Sequence, residues 1–246
     1  MSLLRQAGAG LRIVRAVGHG LRGLWLLRWR FPGFSPAERE ACIEQWARHM
    51  LGIFNVTLRV EGPRQAGGPL LVVANHLSWL DILVMQATRN CRFVSKAEVR
   101  RWPLIGAVAA GSGTLFIARE SRRDALRVVH HMAARLRAGD VLAVFPEGTT
   151  GDGERLLPFH GNLLQAAISA GAPVQPLGIR FIDAATGRRS QAASYVGDDT
   201  LLASIWRTLT SEPIVAMVRL GEPQHAEGRD RRAWAEALHA QVDVLR

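Results

Sequence analysis

Cysteine is almost absent from this chain of 246 residues: Cys42 and Cys91 stand alone, and neither has a C-x-x-C partner. That excludes a disulfide framework and points to a reducing compartment. No histidine pair at i, i+4 flanks a glutamate, so no metal site is expected. No run of about 18 residues is both uncharged and free of glycine, proline and amides, which argues against a transmembrane span. Lysine occurs once, at Lys96, and every other basic residue is arginine. Acid is missing altogether from residues 1–37.

What fills that acid-free stretch is arginine: Arg5, Arg12, Arg15, Arg22, Arg28 and Arg30. At 3.6 residues per turn Arg5, Arg12, Arg15 and Arg22 share one side of a helix, and Ala7, Leu11, Val14, Val17, Leu21, Leu24 and Trp25 share the other. A basic amphipathic helix of this kind can lie in a headgroup layer, so residues 1–34 are expected to form a membrane-associated segment. Arg12 and Arg15 interrupt any apolar core a signal peptide would need; a mitochondrial presequence and a helix simply packed on the domain are the alternatives. The whole chain carries a net charge of +10, which implies an anionic partner without choosing among nucleic acid, a lipid surface and an acidic carrier protein. Phe31 to Pro36 is a break, and Ser35, Pro36 and Glu38 have the pattern of a capped helix start. Residues 35–246 are long enough for one sizeable α/β domain with a mixed sheet flanked by helices.

The centre of that domain is Asn75-His76-Leu77-Ser78-Trp79-Leu80-Asp81, which follows the apolar run Leu70 to Ala74 and opens a second one. A buried strand, a polar turn and a helix are expected, with Ser78 and Asp81 spaced as a capping box. Across such a bend an imidazole and a carboxylate five residues apart come within hydrogen-bond reach, and the carboxylate then holds the ring in one tautomer. The pair can take a proton from an alcohol. On spacing alone, a helix-capping aspartate beside an ordinary loop histidine is the plainer reading.

A second strand empties into a polar turn at Val141 to Thr150, with Phe145-Pro146-Glu147-Gly148-Thr149. Ligands gather outside the carboxyl ends of strands in such sheets, so His76, Asp81 and Glu147 are expected to line one crevice. N-H-x-S-x-x-D followed by F-P-E-G-T resembles the glycerolipid acyltransferases of the 1-acylglycerol-3-phosphate acyltransferase family. Gly113 to Arg119 resembles the G-x-x-F-I-x-R motif of that family, and Ala172 to Pro176 its late V-P-V-x-P motif. The four blocks fall in order between Leu70 and Pro176.

The resemblance implies an acyltransferase-type fold with N-terminal helices that dock on a membrane. It also implies transfer of an acyl group from acyl-CoA or acyl-ACP to the free hydroxyl of a lysolipid, on the cytoplasmic face of the cell membrane, with no cofactor, no metal and no nucleic acid. His76 is the expected general base and Asp81 its orienting partner; Asn75, Ser78, Lys96, Arg119, Glu147, Gly148 and Thr149 are expected to hold substrate, Arg119 at the acceptor head group. Backbone amides near Gly148 are candidates to face the oxyanion. The first acceptor to expect is 1-acyl-sn-glycerol-3-phosphate. Two departures bear on it, since many members have an arginine after F-P-E-G-T and lysines in P-F-K-K-G, where this chain has Thr150 and Pro158-Phe159-His160-Gly161-Asn162. Together with Tyr195 to Thr200 they resemble the branch that acylates lyso-ornithine lipid. The rivals are a non-catalytic membrane or nucleic-acid binder and a hydrolase using Ser78, although no G-x-S-x-G surrounds that serine. In the last third of the chain, Val215 to Leu220 is expected as an edge strand.

Overall fold

Every residue of the strand Leu70–Ala74 is buried, as an uninterrupted run of branched and small apolar side chains requires when a strand has helices on both faces. In the computed structural model, which describes residues 3–65, 67–102, 104–117 and 122–246, this strand is β2. Around it lie β1 (Val56–Glu61), β3 (Arg92–Lys96), β4 (Leu115–Ile117), β5 (Val141–Val144), β6 (Val174–Asp183) and β7 (Ile214–Leu220). They form a single sheet in the order β1-β7-β6-β2-β5-β3-β4. Strands β6, β2, β5, β3 and β4 are mutually parallel, so their carboxyl ends share one edge. β7 runs antiparallel to β6 and parallel to β1. The chain leaves β2 toward β3 on one side and later returns to β6 on the other, which makes the carboxyl end of β2 the place where the strand order reverses.

β7 is not an edge strand: it lies between β1 and β6, and β1 forms the border. Its run Ile214 to Val218 is mostly buried, whereas β1 exposes most of its outer residues. A short apolar strand reads alike at an edge or one place in, because the sequence of a strand does not carry its neighbours.

Leu70, Val72 and Ala74 face a layer that includes α2 (Pro36–Ile53) and α3 (Leu80–Thr88), while Leu71 and Val73 face α5 (Arg122–Arg137), α6 (Leu164–Ala170) and α8 (Arg231–Leu245). The expected cap of α2 is present in full, with Ser35 Oγ accepting from Glu38 N and Glu38 Oε2 accepting from Ser35 N. The N-terminal helix α1 (Leu3–Trp25) runs on through a π-helical turn over Leu26–Arg30. It packs on α2, on α4 (Ile105–Gly111) and on α7 (Leu201–Thr210). Its inward side is small: Ala9, Gly20 and Gly23 are buried together with His19. His19 Nε2 meets the Trp46 carbonyl at 3.0 Å, and Trp46 Nε1 donates to the His19 carbonyl at 3.1 Å, a reciprocal clasp between α1 and α2. The stripe Leu11, Val14, Val17, Leu21 and Trp25 is left exposed, Val14 at 68%. No described helix is long and apolar enough to cross a membrane.

Candidate active site

At the carboxyl end of β2 the backbone turns through Asn75 to Trp79 into α3, and the turn is closed by a single oxygen. Asp81 Oδ2 accepts from His76 Nδ1 at 2.8 Å, from the Leu77 amide at 2.6 Å and from the Ser78 amide at 2.9 Å. The reach from α3 back to the Ser78 amide is half of the expected capping box. The other half is altered, because Ser78 Oγ accepts from the Leu80 amide and not from Asp81. Asp81 is fully buried, and its Oδ1 has no hydrogen-bond partner. A carboxylate only accepts, so the His76 Nδ1 that faces it carries a proton, and in the neutral ring the lone pair is then on Nε2.

The neighbouring strand end fixes the rest of His76. Its ring stacks on Phe145, which follows β5, with centroids 3.9 Å apart and planes 9° from parallel. Phe145 in turn stacks on Phe93 of β3. The His76 amide donates to Glu147 Oε1 at 2.6 Å, and the His76 carbonyl accepts from the Gly151 amide at 2.8 Å. Glu147 Oε2 accepts from the Leu157 amide at 2.9 Å, so one buried carboxylate ties the histidine to both ends of the loop after β5. Burial pushes the Glu147 carboxyl above its ordinary pKa, against the pull of those two amides.

The structure therefore brings together His76, Asp81 and Glu147 at adjacent strand ends. Asn75 is buried, and its amide group is committed to Ile179 of β6, donating to its carbonyl and accepting from its amide. Ser78 is fully buried, which removes it from the reach of a substrate carbonyl and with it the hydrolase alternative. Gly148 and Thr149 are exposed in the turn, where Gly148 adopts φ +73°. The Gly148 amide itself donates to the Phe145 carbonyl at 3.1 Å. Lys96 is exposed at the end of β3 and, among the described residues, makes no ion pair. Arg119 lies outside the described residues. Among those described, no three His, Cys, Asp or Glu side chains group as a metal site.

Several supporting contacts carry no local pattern in the sequence. Phe145 is visible in the sequence only as part of a motif, and its stacking on His76, 69 positions earlier, is not. The Tyr195 amide donates to the Leu77 carbonyl, Thr150 Oγ1 donates to the Tyr195 carbonyl, and Trp79 Nε1 donates to Ser204 Oγ. The loop before α7 is thus fastened to the histidine turn.

The Acyltransferase family model matches residues 55–180, which include the strand ends that carry His76 and Glu147. A lyso-ornithine lipid O-acyltransferase of Pseudomonas aeruginosa is 41% identical over 92% of this chain and 87% of its own length. A 1-acyl-sn-glycerol-3-phosphate acyltransferase of Neisseria meningitidis is 33% identical over 93% of this chain and 87% of its own. In fold, the chain is similar to the crystal structure of the 1-acyl-sn-glycerophosphate (LPA) acyltransferase PlsC from Thermotoga maritima, with a TM-score of 0.66 over 95% of both chains at 20% identity. The strand order, the carboxylate-fixed histidine and these likenesses agree: the chain belongs to the Acyltransferase family.

Proposed function

We propose that this protein is an O-acyltransferase that moves a fatty acyl group from an acyl thioester, acyl-CoA or acyl-ACP, to the free hydroxyl of a lysolipid. The observation that carries this reading is the 2.8 Å contact between His76 Nδ1 and Asp81 Oδ2, which leaves Nε2 as the available base. His76 Nε2 takes the proton of the acceptor hydroxyl as its oxygen bonds to the acyl carbon. The tetrahedral intermediate then expels the thiolate, which recovers the proton from the imidazolium. Asp81 stabilises the imidazolium between the two steps, and no covalent acyl-enzyme is formed. Holding both reactants at one surface supplies much of the acceleration. Glu147, Asn75 and Ser78 act by positioning the turn, since their polar atoms are spent on backbone groups. Lys96, Arg119 and the exposed Gly148-Thr149 turn are assigned to the anionic and polar groups of the substrates.

The exposed stripe of α1, with Arg15, Arg22, Arg28 and Arg30 at the surface, supports peripheral docking on an anionic leaflet, on the cytoplasmic face. Two acceptors fit the family, 1-acyl-sn-glycerol-3-phosphate and lyso-ornithine lipid. Thr150 supports the second, because its hydroxyl is tied to the Tyr195 carbonyl where an arginine would bring a positive charge. Purified protein on anionic vesicles with a labelled acyl thioester, offered both acceptors side by side, tests the reading. Transfer to either supports O-acyltransfer, and transfer to neither overturns it in favour of a binding protein.

A further inference from the structure

Beside the histidine turn, on the β6 side, lies a cavity of about 310 Å³ whose wall includes Asn75 and Leu77, the residues on either side of His76. That volume is at the small end of the usual range for ligand pockets, roughly 300–1,000 Å³. Its lining is charged and evenly balanced, with Arg180, Arg189 and Arg246 against Asp152, Glu154 and Asp243. Two of the three arginines are already paired inside the fold. Arg189 binds Glu154 at 2.9 Å, and Arg246 binds Asp243 at 2.6 Å as well as the carbonyls of Gly153 and Glu154. What remains is one charge of each sign. The guanidinium of Arg180, a residue exposed on β6, makes no hydrogen bond or ion pair among the described residues. Asp152 accepts the Glu154 amide at 2.8 Å and forms no ion pair among the described residues, although that amide first, and the more distant Arg189 and Arg155 guanidiniums after it, hold its carboxyl below the ordinary carboxylate range. The same wall contains Ser190 and Ser194, from the loop that Tyr195 fastens to Leu77.

We propose that this cavity is the acceptor head-group subsite and that it selects a zwitterionic amino-acid head, whose carboxylate meets Arg180 and whose ammonium meets Asp152. A phosphate monoester carries a charge of about −1.5 to −2 and finds no net positive charge here, whereas a head with separated opposite charges finds a partner for each. The proposal rests on the acyl-transfer reading, because the cavity is walled by Asn75 and Leu77, the residues on either side of His76, and takes its importance from the chemistry at that turn. It places the head group between β6 and the later part of the loop after β5, and leaves Lys96 and Arg119 to the anionic groups of the thioester donor.

The test is calorimetric titration of the full chain with N-hexanoyl-L-ornithine, which keeps the carboxylate and the side-chain amine, and with hexanoyl-glycerol 3-phosphate. The expected result is tighter binding of the ornithine probe, weakened about tenfold by Arg180→Ala and by Asp152→Asn, with the phosphate probe unaffected. Unchanged affinity in both variants, or a wild-type preference for the phosphate probe, overturns the subsite. Transfer to lyso-ornithine lipid, measured on the same samples, separates the two failures. Wild-type rates in both variants sink the subsite and leave O-acyltransfer standing. Variant-sensitive probe binding without transfer by the wild type to either lysolipid sinks O-acyltransfer and leaves the cavity as a binding site for a zwitterionic head.

Discussion

Three N–H groups converge on Asp81 Oδ2, so replacing this carboxylate removes charge from the histidine and from the turn at once. In Asp81→Asn one amide oxygen can still accept, but it is neutral, and the new NH2 occupies the buried position of an oxygen that has no partner. Transfer is expected to fall about 10²–10⁴-fold, the usual range for losing an effective acid–base group, with a loss of about 1–3 kcal/mol in unfolding free energy for the unsatisfied donor. Initial rates and a denaturant titration of the same variant check both. Glu147 differs in sign. Its carboxyl is raised by burial, so the charged form is less favourable in the fold than in the unfolded chain. Its electrostatic cost is present at neutral pH and is relieved as pH falls through the raised value toward the ordinary carboxylate range. The stability of the wild type relative to Glu147→Gln should therefore rise as pH falls through that window. A difference that is flat with pH would show that the carboxylate titrates alike in both states.

At the scale of elements, the two faces of α1 make opposite predictions for one kind of substitution. Nothing lies within 4 Å of where a Cβ on Gly18 would sit, so Gly18→Ala should stabilise by about 0.5–1 kcal/mol through backbone entropy. A Cβ on Gly23 would sit 2.7 Å from Trp46 Nε1, and that indole is held by its bond to the His19 carbonyl. Gly23→Ala should lower the thermal midpoint despite its better helix propensity; equal gains at both sites would mean that α1 is not clasped to α2. The helix itself was legible in its charge pattern, as were the cap at Ser35 and the buried strand Leu70 to Ala74, because all three are local patterns. The interior place of β7 was not, since it depends on pairing with β1, which lies about 160 positions earlier in the chain. The site divides in the same way. His76 and Asp81 are near neighbours in one turn, whereas the Phe145 stack, the Glu147 brace and the Tyr195 fastening each join segments far apart in sequence.

In the whole molecule a sheet whose strand ends hold the histidine is joined to a helix whose apolar stripe faces outward. The exposed Leu21 and Trp25 are expected to enter the lipid headgroup layer, with the arginines adding attraction that salt screens. Leu21→Glu combined with Trp25→Glu should weaken binding to anionic vesicles at least tenfold in a sedimentation assay, while leaving the His76 turn intact. Undiminished binding would move the docking surface elsewhere, with exposed Leu202 and Trp206 on α7 the next surface to substitute. The most direct test of the central claim is the initial rate of acyl transfer to lysolipid by His76→Ala beside the wild type on such vesicles. The expected result is a loss of at least about 10²-fold in a chain that still unfolds in one cooperative thermal transition; full activity in that variant would contradict the assignment of His76 as the base.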